Sequence, residues 1–222
     1  MKLLSIIFAL VIMAFMSFSC AEDDENVYKG EIIPLEIGNC WRYSVEYFSE
    51  GDSFPDFEYI QYISDTATIN DTFCHVVEIA MEDSSIIRKE LWSHLNDHIY
   101  RIGIIDEGDT MILRPLESII KYPVSFGDRF FVDTLHTYFG DIDSLFWTVT
   151  KLDVDINTPA GEFDCIEYYY HNFSYSEVGG NIDTVFNEIW LYFAPDFGVI
   201  AKEASYNQSP HYKEELIEFL IE

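Results

Sequence analysis

Glu90, His94 and His98 stand at intervals of four residues. On a helix that spacing would put one oxygen and two nitrogen ligands on a single face, a set that suits zinc. The corresponding stretch later in the chain reads Ala194-Pro195-Asp196, and a helix interior rejects proline. Leu95-Asn96-Asp97 is therefore read as a turn between strands. Asp153, Asp155 and Asn157 alternate as at the start of a calcium loop. Thr158 then stands where the sharp turn needs glycine, and Asp164 where a bidentate glutamate is usual. These three are weak metal candidates, and no cofactor is expected. His75, His136, His171 and His211 form no constellation. The chain has no Gly-x-Ser-x-Gly elbow, phosphate-binding loop or dinucleotide fingerprint. Its carboxylates are too numerous for a glycosidase pair to be picked out by spacing.

Apart from Cys20, three thiols remain: Cys40, Cys74 and Cys165. One disulfide at most can form among them, with its pairing open, and three reduced buried thiols fit equally well. Thr66, Thr110, Thr134, Ser144 and Thr184 each follow an aspartate and precede an apolar residue. That pattern resembles an O-glycosylation acceptor of some exported bacterial proteins. It is also an ordinary turn and strand-start pair in an Asp-rich chain.

These residues need elements to hold them, and the first twenty are an address rather than a scaffold. Lys2 is followed by an apolar run from Leu3 to Phe18, broken only by serines. The run is too short to span a bilayer and fits an export signal over residues 1–19. Ser19-Cys20 at its end resembles a bacterial lipobox, which makes Cys20 the expected lipidation site and new N-terminus. Acyl chains there would anchor the protein to a membrane. Residues 20–30 include the acidic run Glu22-Asp23-Asp24-Glu25 and read as a solvated tether. Such a run resembles a signal for outer-surface display in some Gram-negative lineages. The expected location is the outer membrane, at the cell surface rather than the periplasmic face.

The remaining span, 31–222, reads as one all-β domain. Trp41, Tyr43, Val45 and Tyr47 alternate with Arg42, Ser44 and Glu46. Phe57, Tyr59 and Gln61 alternate with Glu58, Ile60 and Tyr62, and Trp147 and Val149 with Phe146 and Thr148. No stretch of a dozen residues holds a helical period. A faint repeat pairs 34–105 with 123–206. Pro34…Gly38 answers Pro123…Gly127, and Glu90-Leu91-Trp92 answers Glu188-Ile189-Trp190. Each proline should precede a strand, and each glycine can take the positive φ of the launching turn. Residues 213–221 would close the sheet.

The segments Pro34–Tyr43, Thr158–Cys165 and Tyr192–Ile200 resemble bacterial lipoproteins and secreted proteins of unknown function, TapB-like families among them. The resemblance implies an antiparallel curved sheet or half-open barrel, possibly of two tandem β units, and carries no catalytic residues.

The chain has 222 residues, 12 Lys+Arg against 40 Asp+Glu, and a net charge of −28. Loss of Lys2 with the signal would leave −29. Such a surface repels polyanions, which removes nucleic acid as a partner. At 49% hydrophobic and 17% aromatic, the chain can nevertheless build a substantial core. The expected function is a non-enzymatic binding or envelope-structural module with no identified ligand or protein partner. The alternatives are a carrier of a hydrophobic ligand in a β cavity, and a carbohydrate-active enzyme or carbohydrate-binding module.

Overall fold

The computed structural model describes residues 32–48, 55–81, 85–106, 109–136, 142–178, 181–206 and 209–221. The expected signal, Cys20 and the tether lie outside these residues. Twelve strands follow one another: β1 (Cys40–Tyr47), β2 (Phe57–Ile69), β3 (Thr72–Met81), β4 (Ile86–Leu95), β5 (His98–Asp106), β6 (Asp109–Lys121), β7 (Arg129–His136), β8 (Ile142–Thr158), β9 (Gly161–Val178), β10 (Asn181–Ala194), β11 (Gly198–Tyr206) and β12 (Ser209–Leu220). No helix occurs among the described residues.

The alternation read from the sequence sets which side chains face inward. Trp41, Tyr43 and Val45 are buried, while Arg42 and Ser44 are half-buried and Glu46 is exposed. Trp147 and Val149 are likewise buried on β8. The closing strand begins at Ser209 rather than 213. Pro34 and Pro123 both precede a strand, and Gly38 and Gly127 take φ of 103° and 83°. The two launching turns make matching hydrogen bonds. Gly38 N–H donates to Ile63 C=O at 3.0 Å, and Gly127 N–H to Val149 C=O at 2.9 Å.

All strands join one antiparallel sheet in the order β6-β5-β4-β3-β2-β1-β12-β11-β10-β9-β8-β7. Pairing of β1 with β12 joins the first and last strands. The edges β6 and β7 approach each other without a ladder, so the sheet is a nearly closed barrel with one unsealed seam. Side chains bridge the seam. The His98 ring meets Phe130 edge-on at 5.6 Å. The Tyr168 hydroxyl donates to Lys121 C=O at 2.8 Å.

A meander of even strand number places all odd-strand starts at one end. That end is plugged. Ile32, Ile33, Leu35, Tyr122 and Val124 are buried there. Phe163, Phe197 and Phe219 meet edge-on, with centroids 5.3 to 6.1 Å apart. Trp41 Nε1 donates to Phe197 C=O at 2.6 Å. Gly198 has φ of 100°, and a Cβ there would lie 3.6 Å from Ile33 and 3.7 Å from Trp41. The main core runs upward inside the barrel from this plug. A smaller cluster of Cys74, Val76, Leu91 and Ile102 packs on the outer face of β3–β5. β6 covers it by leaving the ladder between Ile112 and Glu117 and bringing Leu116 onto the cluster. Where β6 departs, a Cβ at Gly103 would fall 2.6 Å from Met111 C=O, so only glycine fits the close approach.

Candidate functional site

Above the plug the barrel holds a cavity of about 490 Å³ that opens at the opposite end. Its apolar wall includes Trp41, Tyr43, Phe57, Tyr59, Trp147 and Leu191. A row of five rings starts on one side with Tyr43, Tyr59 and Phe57 and continues beyond the cavity to Tyr47 and Tyr212. Tyr43 stacks on Tyr59 at 5.1 Å, and Tyr59 meets Phe57 at 6.4 Å. Phe57 meets Tyr47 at 6.2 Å, and Tyr47 meets Tyr212 at 6.1 Å. Offset and edge contacts of this kind add to simple burial. The Tyr43 hydroxyl donates to Val199 C=O at 3.0 Å. Burial pushes the Tyr43 and Tyr59 phenols well above their ordinary value, so both stay neutral donors.

Six charged side chains line the same cavity: Arg88, Glu90, Arg101, Glu117, Lys202 and Glu214. Arg88 and Glu90 alternate in phase with Trp92 along β4, so they share its inward face. Glu90 is 2% exposed, and each of its oxygens is occupied. Arg101 Nη1 and Arg88 Nη2 meet Oε1 at 2.7 and 2.6 Å, and Trp92 Nε1 donates to Oε2 at 2.7 Å. Arg101 also holds Glu117 through Nε at 2.7 Å and through Nη2. Burial works against the Arg101 charge, but Glu90 and Glu117 outweigh it and raise the pKa.

On the other wall the Tyr59 hydroxyl donates to Glu214 at 2.8 Å. The Lys202 ammonium lies 5.5 Å from the Tyr212 ring centroid. Burial again opposes the charge, while Tyr212 and Glu214 raise its pKa and Arg88 acts in the contrary sense. Arg88 and Lys202 therefore feel each other as like charges. Tyr212 is the hydrogen-bond partner of Lys202.

The residues singled out by spacing do not assemble. Glu90 faces the lumen, His94 is exposed, and His98 sits on β5 with Nδ1 2.8 Å from Ser118 Oγ. Leu95-Asn96-Asp97 does form a turn, with Asn96 at φ 59°. Asp153, Asp155 and Asn157 lie in an exposed row on β8. No group of three metal-binding side chains occurs among the described residues. Cys40, Cys74 and Cys165 are free thiols; Cys74 lies in the outer cluster and Cys165 in the main core. Burial pushes the Cys165 thiol up to about 12. Thr66 is half-buried and Thr110 exposed. Thr134, Ser144 and Thr184 fall in β7, β8 and β10, with side chains outside the described residues, as is that of His136.

His75 is half-buried with an edge-on contact to Phe73 at 5.0 Å. His171 is exposed, and His211 packs on Tyr47. The paired motifs Glu90-Leu91-Trp92 and Glu188-Ile189-Trp190 end on opposite faces. The first points Glu90 and Trp92 into the lumen. The second turns Glu188 toward the Tyr169 hydroxyl at 2.7 Å, beside Trp190, while Leu191 faces the core.

Arg88, Arg101, Glu117, Lys202 and Glu214 carried no motif. The one usable signal was the phase of Arg88 and Glu90 with Trp92, which marks an inward polar row.

A nearly closed antiparallel barrel with an aromatic and ion-paired lumen is the class these features define. Two solved structures have the same architecture. One is a Bacteroides fragilis protein described as exported and as having a YmcC-like fold, with TM-score 0.55 and 13% identity over 87% of this chain and 100% of that chain. The other is a Parabacteroides distasonis protein described as a lipoprotein, with TM-score 0.53 and 12% identity over 87% and 100%. The likeness establishes the fold. No protein-family model matches the chain, TapB-like families included, and no curated protein sequence does.

Proposed function

We propose that this protein is an exported, lipid-anchored, non-enzymatic binding module whose ligand site is the barrel lumen. The observation that carries the reading is the open cavity of about 490 Å³, within the range of small-molecule sites and walled by aromatic side chains. The apolar run before Cys20 supports export, and Cys20 supports anchoring. The two structural neighbours, described as an exported protein and a lipoprotein, point the same way. The acidic run after Cys20 supports display on the outer surface.

The occupied state of the lumen carboxylates supports a binding role over glycoside hydrolysis. Arg101 bridges Glu90 and Glu117, and so fills the gap where a scissile bond would have to lie. Native mass spectrometry of the protein from its own host tests the reading. A non-covalent adduct that is lost on substituting Trp for Leu191 at the cavity wall is the expected result. An adduct-free protein that also takes up no apolar probe would overturn it.

A further inference from the structure

We propose that the lumen selects an amphiphile with an extended apolar body and a small anionic head, the head seated between Lys202 and Arg88. The inference rests on the reading of the lumen as the ligand site and names its ligand class.

Three of the chain's 12 Lys and Arg residues line this one cavity, although carboxylates number 40. The lumen is thus a patch of balanced charge inside a protein of −28. The balance is local as well. Arg101 is saturated by Glu90 and Glu117, both within ion-pair distance. Arg88 shares Glu90 Oε1 with Arg101, and its side chain is 45% exposed at the mouth. Lys202 is held by Tyr212, while Glu214 is occupied by Tyr59. Two cations with partial partners therefore face the same half-buried space. Like charges so placed raise each other's electrostatic energy, and an anion between them would lower it.

The apolar wall fits the other end of such a ligand. The ring ladder runs from Tyr43 to Tyr212, and so ends beside the Lys202 ammonium. The wall continues down to Ile33, Trp41 and Leu191 at the floor. The exposed Ile87 lines the cavity beside Arg88, and the exposed Met111 shares an adjoining depression with both, so these apolar side chains would lead an apolar tail inward. A tail on the ring ladder and a head at Lys202 can thus be satisfied by one extended molecule.

Dodecanoate and dodecanol share the tail and differ in the head. Each is titrated into the folded protein, with binding read from the fluorescence of Trp41, Trp92 and Trp147, which line the cavity. Dodecanoate is expected to bind about tenfold or more tighter, the effect of a charge-assisted hydrogen bond. Lys202→Met and Arg88→Gln should each bring dodecanoate down toward dodecanol, with retained dodecanol binding reporting that the barrel survives. Glu214→Gln removes a negative charge from the same wall, yet still accepts from Tyr59, and should raise dodecanoate affinity. Equal affinity of the wild-type protein for both probes overturns the head assignment while leaving the lumen a site. Binding of neither probe overturns the lumen reading, and the head assignment with it.

Discussion

Glu90→Gln should destabilise the barrel more than a typical surface change. The side chain is 3% exposed and meets three donors, two guanidinium groups and the Trp92 indole, at 2.6 to 2.7 Å. The amide keeps the shape but offers one acceptor oxygen and turns a donor toward a donor. Removing one partner of a fully buried ion pair costs roughly 3–5 kcal/mol. The side chains of Arg101 and Arg88 are 24% and 45% exposed, so water recovers part of that loss. The expected cost is about 2–3 kcal/mol, a large share of a domain's stability. With a urea slope of about 2 kcal/mol/M, the unfolding midpoint falls by about 1–1.5 M at unchanged slope. Trp fluorescence follows the transition directly, since Trp92 loses its Glu90 partner. A midpoint shift below about 0.5 M would refute the assignment of the Glu90 cluster as the fixed part of the lumen.

Other substitutions test other parts of the structure. Glu78 is buried; burial alone would raise its pKa, but hydrogen bonds from Lys89, Tyr62 and Ser64 outweigh it and hold it below 4.5. A depressed folded pKa contributes stability above 4.5 that is lost as pH falls through the folded value. Lys89→Met should therefore move the acid-unfolding midpoint to higher pH, as followed by circular dichroism; an unmoved midpoint would remove the Lys89 contribution. Gly103→Ala forces a Cβ against Met111 C=O and should cost about 1–3 kcal/mol in urea unfolding. Cys20→Ala should abolish incorporation of a labelled fatty-acid precursor in the native host, and persistence of the label would relocate the anchor.

The strands were legible where one face is apolar and the other wet. Trp41 to Tyr47 alternates without a break, and the structure buries Trp41, Tyr43 and Val45. Pro34 and Gly38, like Pro123 and Gly127, announced the turns that launch β1 and β7. The lumen was not legible, because charged residues on an inward face look like residues on an outward one until the sheet is known to close. Arg88 and Glu90 flank Lys89, which is the residue that does face outward, toward Glu78. Arg101 and Glu117 meet only through the register shift before Gly103, and an irregularity of that kind leaves no periodic trace. Glu188 and Trp190 likewise match Glu90 and Trp92 by letter and not by face. A one-residue displacement turns every side chain over.

The topology also sets the proposed anchor and the proposed ligand site at opposite poles. Because β1 starts and β12 ends at the same pole, the chain enters the barrel at Ile32 through the plugged end. The mouth, with Arg88, Ile86 and Ile87, is at the other pole. A segment of the length of residues 20–30 can reach at most about 35–40 Å. On the proposed function, an apolar ligand would reach the lumen from the side facing away from the proposed anchor. A ligand drawn directly from the anchoring membrane would require the domain to invert on that tether. The geometry therefore favours capture of ligand from the opposite side, and a shortened tether that prevents inversion should leave uptake of a soluble anionic amphiphile intact.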